Sequence, residues 1–156
     1  MKHLRLSVSI DAPAEEVFRG FTDWPAQGEW MLGTAVHTVD GPATGVGGEL
    51  AAWSGVGPIG FWDTMVITEW DDPNRVVVRH TGRVVRGDGI MEVVPSIGGG
   101  SVFWWGELLE LPLGAVGRMG WPLVRPGFAA GVRLSLDRFA RLVESGRWRI
   151  PPETGG

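Results

Sequence analysis

The chain contains no cysteine, so it can form no disulfide, use no thiol nucleophile and hold no thiolate-ligated metal. Tyrosine is also missing, and histidine occurs only three times, at His3, His37 and His80, with no ligand-like spacing. No metal site and no cofactor are therefore expected. No apolar run approaches the length needed to cross a bilayer, so stable membrane insertion is not expected. The opening MKHLRLSVSIDAP alternates polar and apolar residues and lacks the core of a signal peptide, which leads to the expectation of a cytoplasmic protein. A nucleophile elbow, a phosphate-binding loop and a His-Glu-x-x-His pair are all absent. The net charge of -4 argues against general nucleic-acid binding, which needs a basic surface.

What is present is a globular composition, 44% hydrophobic and 21% charged over 156 residues, enough for one domain with its own core. Residues 1–146 are expected to form that domain and 147–156 a tail. The 25 glycines are dispersed, and many short strands need many turns. Gly45-Val46-Gly47-Gly48 and Gly98-Gly99-Gly100 are read as hairpin turns. The nine tryptophans suit either a dense core or a wide apolar pocket. Charge is uneven: residues 118–149 carry seven arginines against Asp137 and Glu144. The favoured reading is a solvated helix face. Arg118 and Arg125 are kept as alternatives for meeting a ligand anion at a cavity mouth.

Periodicity orders the chain. Residues 3–10 place Leu4, Leu6, Val8 and Ile10 on one face, the period-two pattern of a half-buried strand. Pro13, Glu15 and Glu16 open a helix whose stripe is Val17, Phe18 and Phe21. Residues 25–31 predict a second short helix carrying Trp30 inward. Strands follow over residues 35–39, 48–53, 61–70, 75–81, 83–94 and 101–111, with a loop over 55–60, a strong turn at 71–74 and a bend at Gly87 and Gly89. Phe128, Val132, Leu136, Phe139 and Val143 then repeat every three or four residues and predict a long terminal helix ending at Gly146. Pro122 and Pro126 predict a hinged or broken start, with continuous helix from about residue 126. Short loops between strands imply an antiparallel meander, and the terminal helix must bury its apolar face against that sheet.

Three segments, SIDAPAEEVF with DWPAQGEW, VITEWDDPNRVVVRHTG, and SVFWWGELLELPLG leading into the terminal helix, give the chain a resemblance to the SRPBCC superfamily, which includes START and Bet v 1 domains. Its polyketide cyclase/dehydrase and lipid-transport-like branch is the most similar. The resemblance implies an α+β helix-grip fold: a curved antiparallel sheet of six to seven strands wrapped around the C-terminal helix, with two short helices after the first strand. It also implies a hydrophobic small-molecule partner such as a lipid, polyketide or aromatic metabolite. Carriers and cyclases share this fold, so a binding module and a cyclase, aromatase or dehydratase both stay open. A protein-interaction module displaying tryptophans is the third reading. Oligomeric state is not legible.

Two residues are singled out for chemistry. His80 shares a face with Val76 and Val78, and Glu107 with Phe103, Trp105 and Leu109. If those faces point inward, an imidazole and a carboxylate enter an apolar space, where they orient a ligand or move a proton. The competing reading for each is purely structural. Trp30, Trp53, Trp62, Asp63, Met65, Met91, Phe103, Trp105, Met119, Trp121, Phe128 and Val132 are the candidates for a ligand-binding wall, with plain core as the alternative. Asp63 shares a face with Met65 and Ile67, yet for Asp63 and Glu92 the favoured expectation is an outer, solvated position. His3 and His37 are expected at the surface.

Overall fold

The computed structural model describes residues 2–83, 85–110 and 115–151. The chain runs β1 (Lys2–Ile10), α1 (Ala14–Phe21), a 3₁₀ helix (Trp24–Glu29), β2 (Thr34–Asp40), β3 (Glu49–Val56), β4 (Ile59–Asp71), β5 (Arg75–His80), β6 (Arg86–Pro95), β7 (Ser101–Glu110) and α2 (Ala115–Glu144). All seven strands form one antiparallel sheet in the order β1-β7-β6-β5-β4-β3-β2. Strands β2 to β7 follow each other as hairpins, and β1 closes the series against β7. This is the helix-grip α+β architecture. Among the described residues no helix is long and apolar enough to cross a membrane.

The two faces of each strand separate as period two demands. On β7 Phe103, Trp105 and Glu107 are buried, while Val102, Trp104 and Leu108 are only partly so. On β5 Val76, Val78 and His80 point the same way. The helix α1 buries Ala14, Val17, Phe18 and Phe21, with Glu15 and Glu16 in its first turn where they complement the helix dipole.

The interior is solid at one end. Phe21 stacks on Phe103 at 5.0 Å, Phe103 meets Phe139 at 5.0 Å, and Trp30 lies 4.6 Å from Phe139. Each of these rings is almost fully buried, and a buried aromatic ring contributes roughly 2–3 kcal/mol. The cluster fixes the C-terminal half of α2 to the sheet. The other half of α2 has Pro122, Leu123, Val124, Pro126 and Gly127 exposed, and is not packed in this way.

Three features differ from the sequence-based expectation. First, α2 is one helix from Ala115, with Pro122 and Pro126 inside it rather than at a break. Both prolines are exposed, so the carbonyls left without an N–H partner face water. Second, residues 55–60 are not an open loop. Gly55 pairs with Gly60 and Val56 with Ile59 around a tight Gly57-Pro58 turn, with Gly57 at φ +59°. Third, the packed unit passes residue 146. Trp148 is buried against Phe139, and its indole N–H donates to Asp23 at 3.0 Å. Arg147 pairs with Glu29, and the Ile150 N–H donates to Glu16. The start of the terminal stretch (residues 111–114), the distal tail (residues 152–156) and the side chain of Arg118, an anion-binding candidate, lie outside the described residues.

Candidate functional site

Between the sheet and the first half of α2 lies a cavity of about 940 Å³. Small residues keep it open. On α2, Gly127 and Gly131 face it one turn apart, and a Cβ added to either would meet nothing within 4 Å. Ala52 and Gly89 lie on the opposite, sheet wall. The apolar lining includes Val36, Leu50, Met65, Met91, Trp105 and Val132.

Into this wall the strands insert one polar cluster. Strand alternation turns Asp63 of β4, His80 of β5 and Glu107 of β7 inward, and all three are more than nine-tenths buried. The His80 Nδ1 lies 2.8 Å from Asp63 Oδ2, and Nε2 lies 3.0 Å from Glu107 Oε2. The second contact crosses a whole strand, since β6 runs between β5 and β7. It is made over glycine: His80 pairs with Gly87, and Glu107 with Gly89. A Cβ at Gly89 would lie 3.0 Å from Val78 and 3.5 Å from the Glu107 carboxylate. Gly89, one of the two glycines read as a bend in the sequence, thus also clears the space in which imidazole and carboxylate meet, whereas a Cβ at Gly87 would meet the Leu108 backbone.

The electrostatics follow from this geometry. Burial opposes charge on His80, but the hydrogen bonds to Asp63 and Glu107 and their negative charges outweigh it, and the imidazole pKa is raised to about 10. Burial pushes the Glu107 carboxyl up from its ordinary value; the His80 contact opposes this, and the charges of Asp63 and Asp88 add to it. His80 and Glu107 both hold their protons to higher pH than free side chains would. Asp63 Oδ1 is buried with no hydrogen-bond partner among the described residues.

The other residues singled out in the sequence divide clearly. Met65, Met91, Trp105, Trp121, Phe128 and Val132 line the cavity together with Asp63, His80 and Glu107. Asp63 thereby departs from the solvated position favoured for it, because the inner face of β4 is the one it shares with Met65 and Ile67. Glu92 is on the outer face, paired with Arg75. Trp30 and Phe103 belong to the solid core. Trp53 and Trp62 are not on the cavity wall: they pack edge to face at 5.6 Å on the outer side of β3 and β4, with His37 beside Trp62. Met119 is exposed and does not reach the cavity. His3 and Arg125 are at the surface. Sequence reading missed Leu50, Ala52 and Ser54 of β3, Val78, and the glycines of α2. Period-two alternation from Leu50 to Ser54 was the available signal for the first group.

A curved antiparallel sheet gripping a terminal helix around an apolar cavity defines a helix-grip protein of the ligand-binding kind. The chain belongs to the polyketide cyclase/dehydrase and lipid transport family, whose pattern matches residues 1–144. The crystal structure of TTHA0849 from Thermus thermophilus is similar, with a TM-score of 0.78 at 20% identity over 93% of this chain and 99% of that one. NE0264 from Nitrosomonas europaea gives a TM-score of 0.69 at 16% identity over 93% of this chain and 96% of that one. At such identities the likeness shows the fold. No curated protein sequence matches significantly.

Proposed function

We propose that the protein binds one hydrophobic small molecule, a lipid, polyketide or aromatic metabolite, in the cavity between sheet and α2. The observation that carries this reading is a 940 Å³ space with mostly apolar walls and, among the described residues, one buried cluster of ionisable groups. Ligand pockets have this volume and this pattern, in which apolar walls give affinity and a few polar groups fix orientation. Met65 and Met91 adapt to varied shapes, while Trp105, Trp121 and Phe128 supply flat surfaces. Native mass spectrometry of protein purified from its own host is expected to show a bound mass that denaturation releases. Titration with a broad panel of apolar ligands should change the fluorescence of Trp105 and Trp121. No bound mass and no response across the panel would sink the reading.

The cluster itself favours a second reading, a cyclase or dehydratase using the same cavity. An imidazolium beside a carboxyl of raised pKa is suited to passing a proton to and from a bound polycarbonyl chain. In this reading His80 and Glu107 are the catalytic pair and Asp63 orients the ring. Turnover of a linear polyketone by the purified protein, lost in His80→Asn with ligand uptake retained, would support it. Identical product formation by the variant would remove it.

A further inference from the structure

We propose that the polar end of the cavity ligand is a hydrogen-bond donor, an amine, alcohol or phenol, and that carboxylate and phosphate ends are rejected. This rests on the binding reading above and names the ligand class. Both ring nitrogens of His80 sit at hydrogen-bond distance from carboxylate oxygens, 2.8 Å and 3.0 Å away. Two protons satisfy both contacts: either the imidazole carries both, or a neutral imidazole donates once and accepts once from a protonated carboxyl. In each state every proton of the cluster points at another member of the cluster. What remains free is acceptor capacity: the second oxygen of Glu107, which His80 does not engage, is left for the ligand, while Asp63 Oδ1 has no partner among the described residues but is itself closed off. In the two-proton state the three groups also sum to one negative charge.

The rest of the wall offers an anion neutral donors, on Gln27, Thr34 and Ser54, with Thr34 already engaged by the Leu32 carbonyl, but no positive charge to balance its own. Among the described residues no arginine or lysine lines the cavity. The Ser135 hydroxyl is engaged, accepting from the Leu32 N–H at 3.0 Å and donating to the Gly131 carbonyl at 2.8 Å. The Trp24 indole N–H donates to the Ala43 carbonyl. A carboxylate end would have to leave water and approach like charge, whereas an ammonium or hydroxyl end would donate to the free oxygen of Glu107. The raised pKa of His80 agrees with this arrangement.

The test compares ligands of one chain length on the unmodified protein. Decylamine, decanol, decanoate and decyltrimethylammonium are titrated at neutral pH, read by tryptophan fluorescence and checked by calorimetry. Decylamine and decanol are expected to bind at least about tenfold more tightly than decanoate. Decyltrimethylammonium carries charge without an N–H, and is expected to bind more weakly than decylamine. Glu107→Gln and Asp63→Asn each place an amide N–H₂ in the cluster, and are expected to narrow or invert the amine-over-carboxylate ratio. Equal or tighter binding of decanoate by the unmodified protein would overturn the donor assignment while leaving the pocket intact. Equal binding of the two cations would show that charge alone is read, and would overturn it too. Binding of none of the four would overturn the donor assignment, and the pocket reading falls with it where native mass spectrometry also shows no bound mass.

Discussion

Asp63 and Glu107 grip opposite nitrogens of one imidazole, from strands on either side of the strand that carries it. Glu107 reaches His80 across the glycines of β6, and Asp63 comes from the directly adjacent β4. With a carboxylate on each ring nitrogen, His80 has opposite charge on both sides, and its protonation becomes part of the fold.

Stability should therefore fall as pH rises above neutrality. The folded His80 pKa, about 10, lies above the value of about 6.5 expected in the unfolded chain. Its contribution is complete below about pH 6.5 and is lost as pH climbs through about 10. Glu107 contributes in the same direction. Its raised carboxyl pKa favours the folded state when protonated and opposes it once ionised. Urea midpoints of the native protein are expected to drop steadily between about pH 7 and pH 10. His80→Asn should begin lower at neutral pH and show a flatter profile. A native midpoint that holds level across that range would contradict the imidazolium assignment.

Gly87 should not tolerate a side chain. Its φ is +117°, and a Cβ there would lie 1.7 Å from the Leu108 carbonyl oxygen. Gly87→Ala is expected to cost roughly 3 kcal/mol, measured by chemical unfolding, with the Asp63–His80–Glu107 cluster displaced as β6 shifts against β7. A cost below about 0.5 kcal/mol would mean that the strand can relax around the substitution.

Residues beyond 146 should matter for folding. Trp148 fills a site between Phe139 and Gly20, where a Cβ on Gly20 would come within 2.9 Å of the indole ring. Trp148→Ala is expected to destabilise by about 3–5 kcal/mol. Asp23→Ala, which removes only the acceptor of the indole N–H, should cost about 1 kcal/mol. A chain truncated at Gly146 that unfolded at the same urea concentration as the full chain would show that this segment is dispensable.

The order of elements was legible because each element announces itself locally: alternation in β1, β5 and β7, the acidic first turn of α1, the three-four spacing in α2. The inward direction of His80 and Glu107 followed from the same alternation, since Val76, Val78, Phe103 and Trp105 mark the buried face. Asp63 was harder, because β4 carries apolar residues on both faces and nothing local says which one meets α2. The tryptophans misled for a related reason. A large aromatic residue suits a core, an outer pair or a cavity wall equally well, so Trp30, Trp53 and Trp62 could not be told from Trp105 and Trp121 by sequence. The prolines of α2 break a helix in isolation, but exposure and tertiary anchoring of the following turns let the helix run through them. Hollowness had the weakest signal, since it comes from side chains that are missing.

The open space beside α2 allows stability and ligand uptake to be changed separately. Gly127 and Gly131 stand one turn apart in α2, face the cavity, and have open space where a Cβ would be. Glycine inside a helix costs about 1 kcal/mol relative to alanine. Gly131→Ala is therefore expected to raise stability by about 0.5–1 kcal/mol and to alter ligand uptake little, because one methyl removes only a small part of 940 Å³. Gly131→Trp should place an indole across the space between α2 and the sheet. It should leave the helix content measured by circular dichroism unchanged and weaken uptake of decylamine or decanol by about tenfold or more, since the ligand must then displace a packed ring. Loss of fold in Gly131→Trp, with no gain of stability in Gly131→Ala, would mean that the space is already filled in solution. Unimpaired uptake by a well-folded Gly131→Trp would place the ligand elsewhere than between α2 and the sheet.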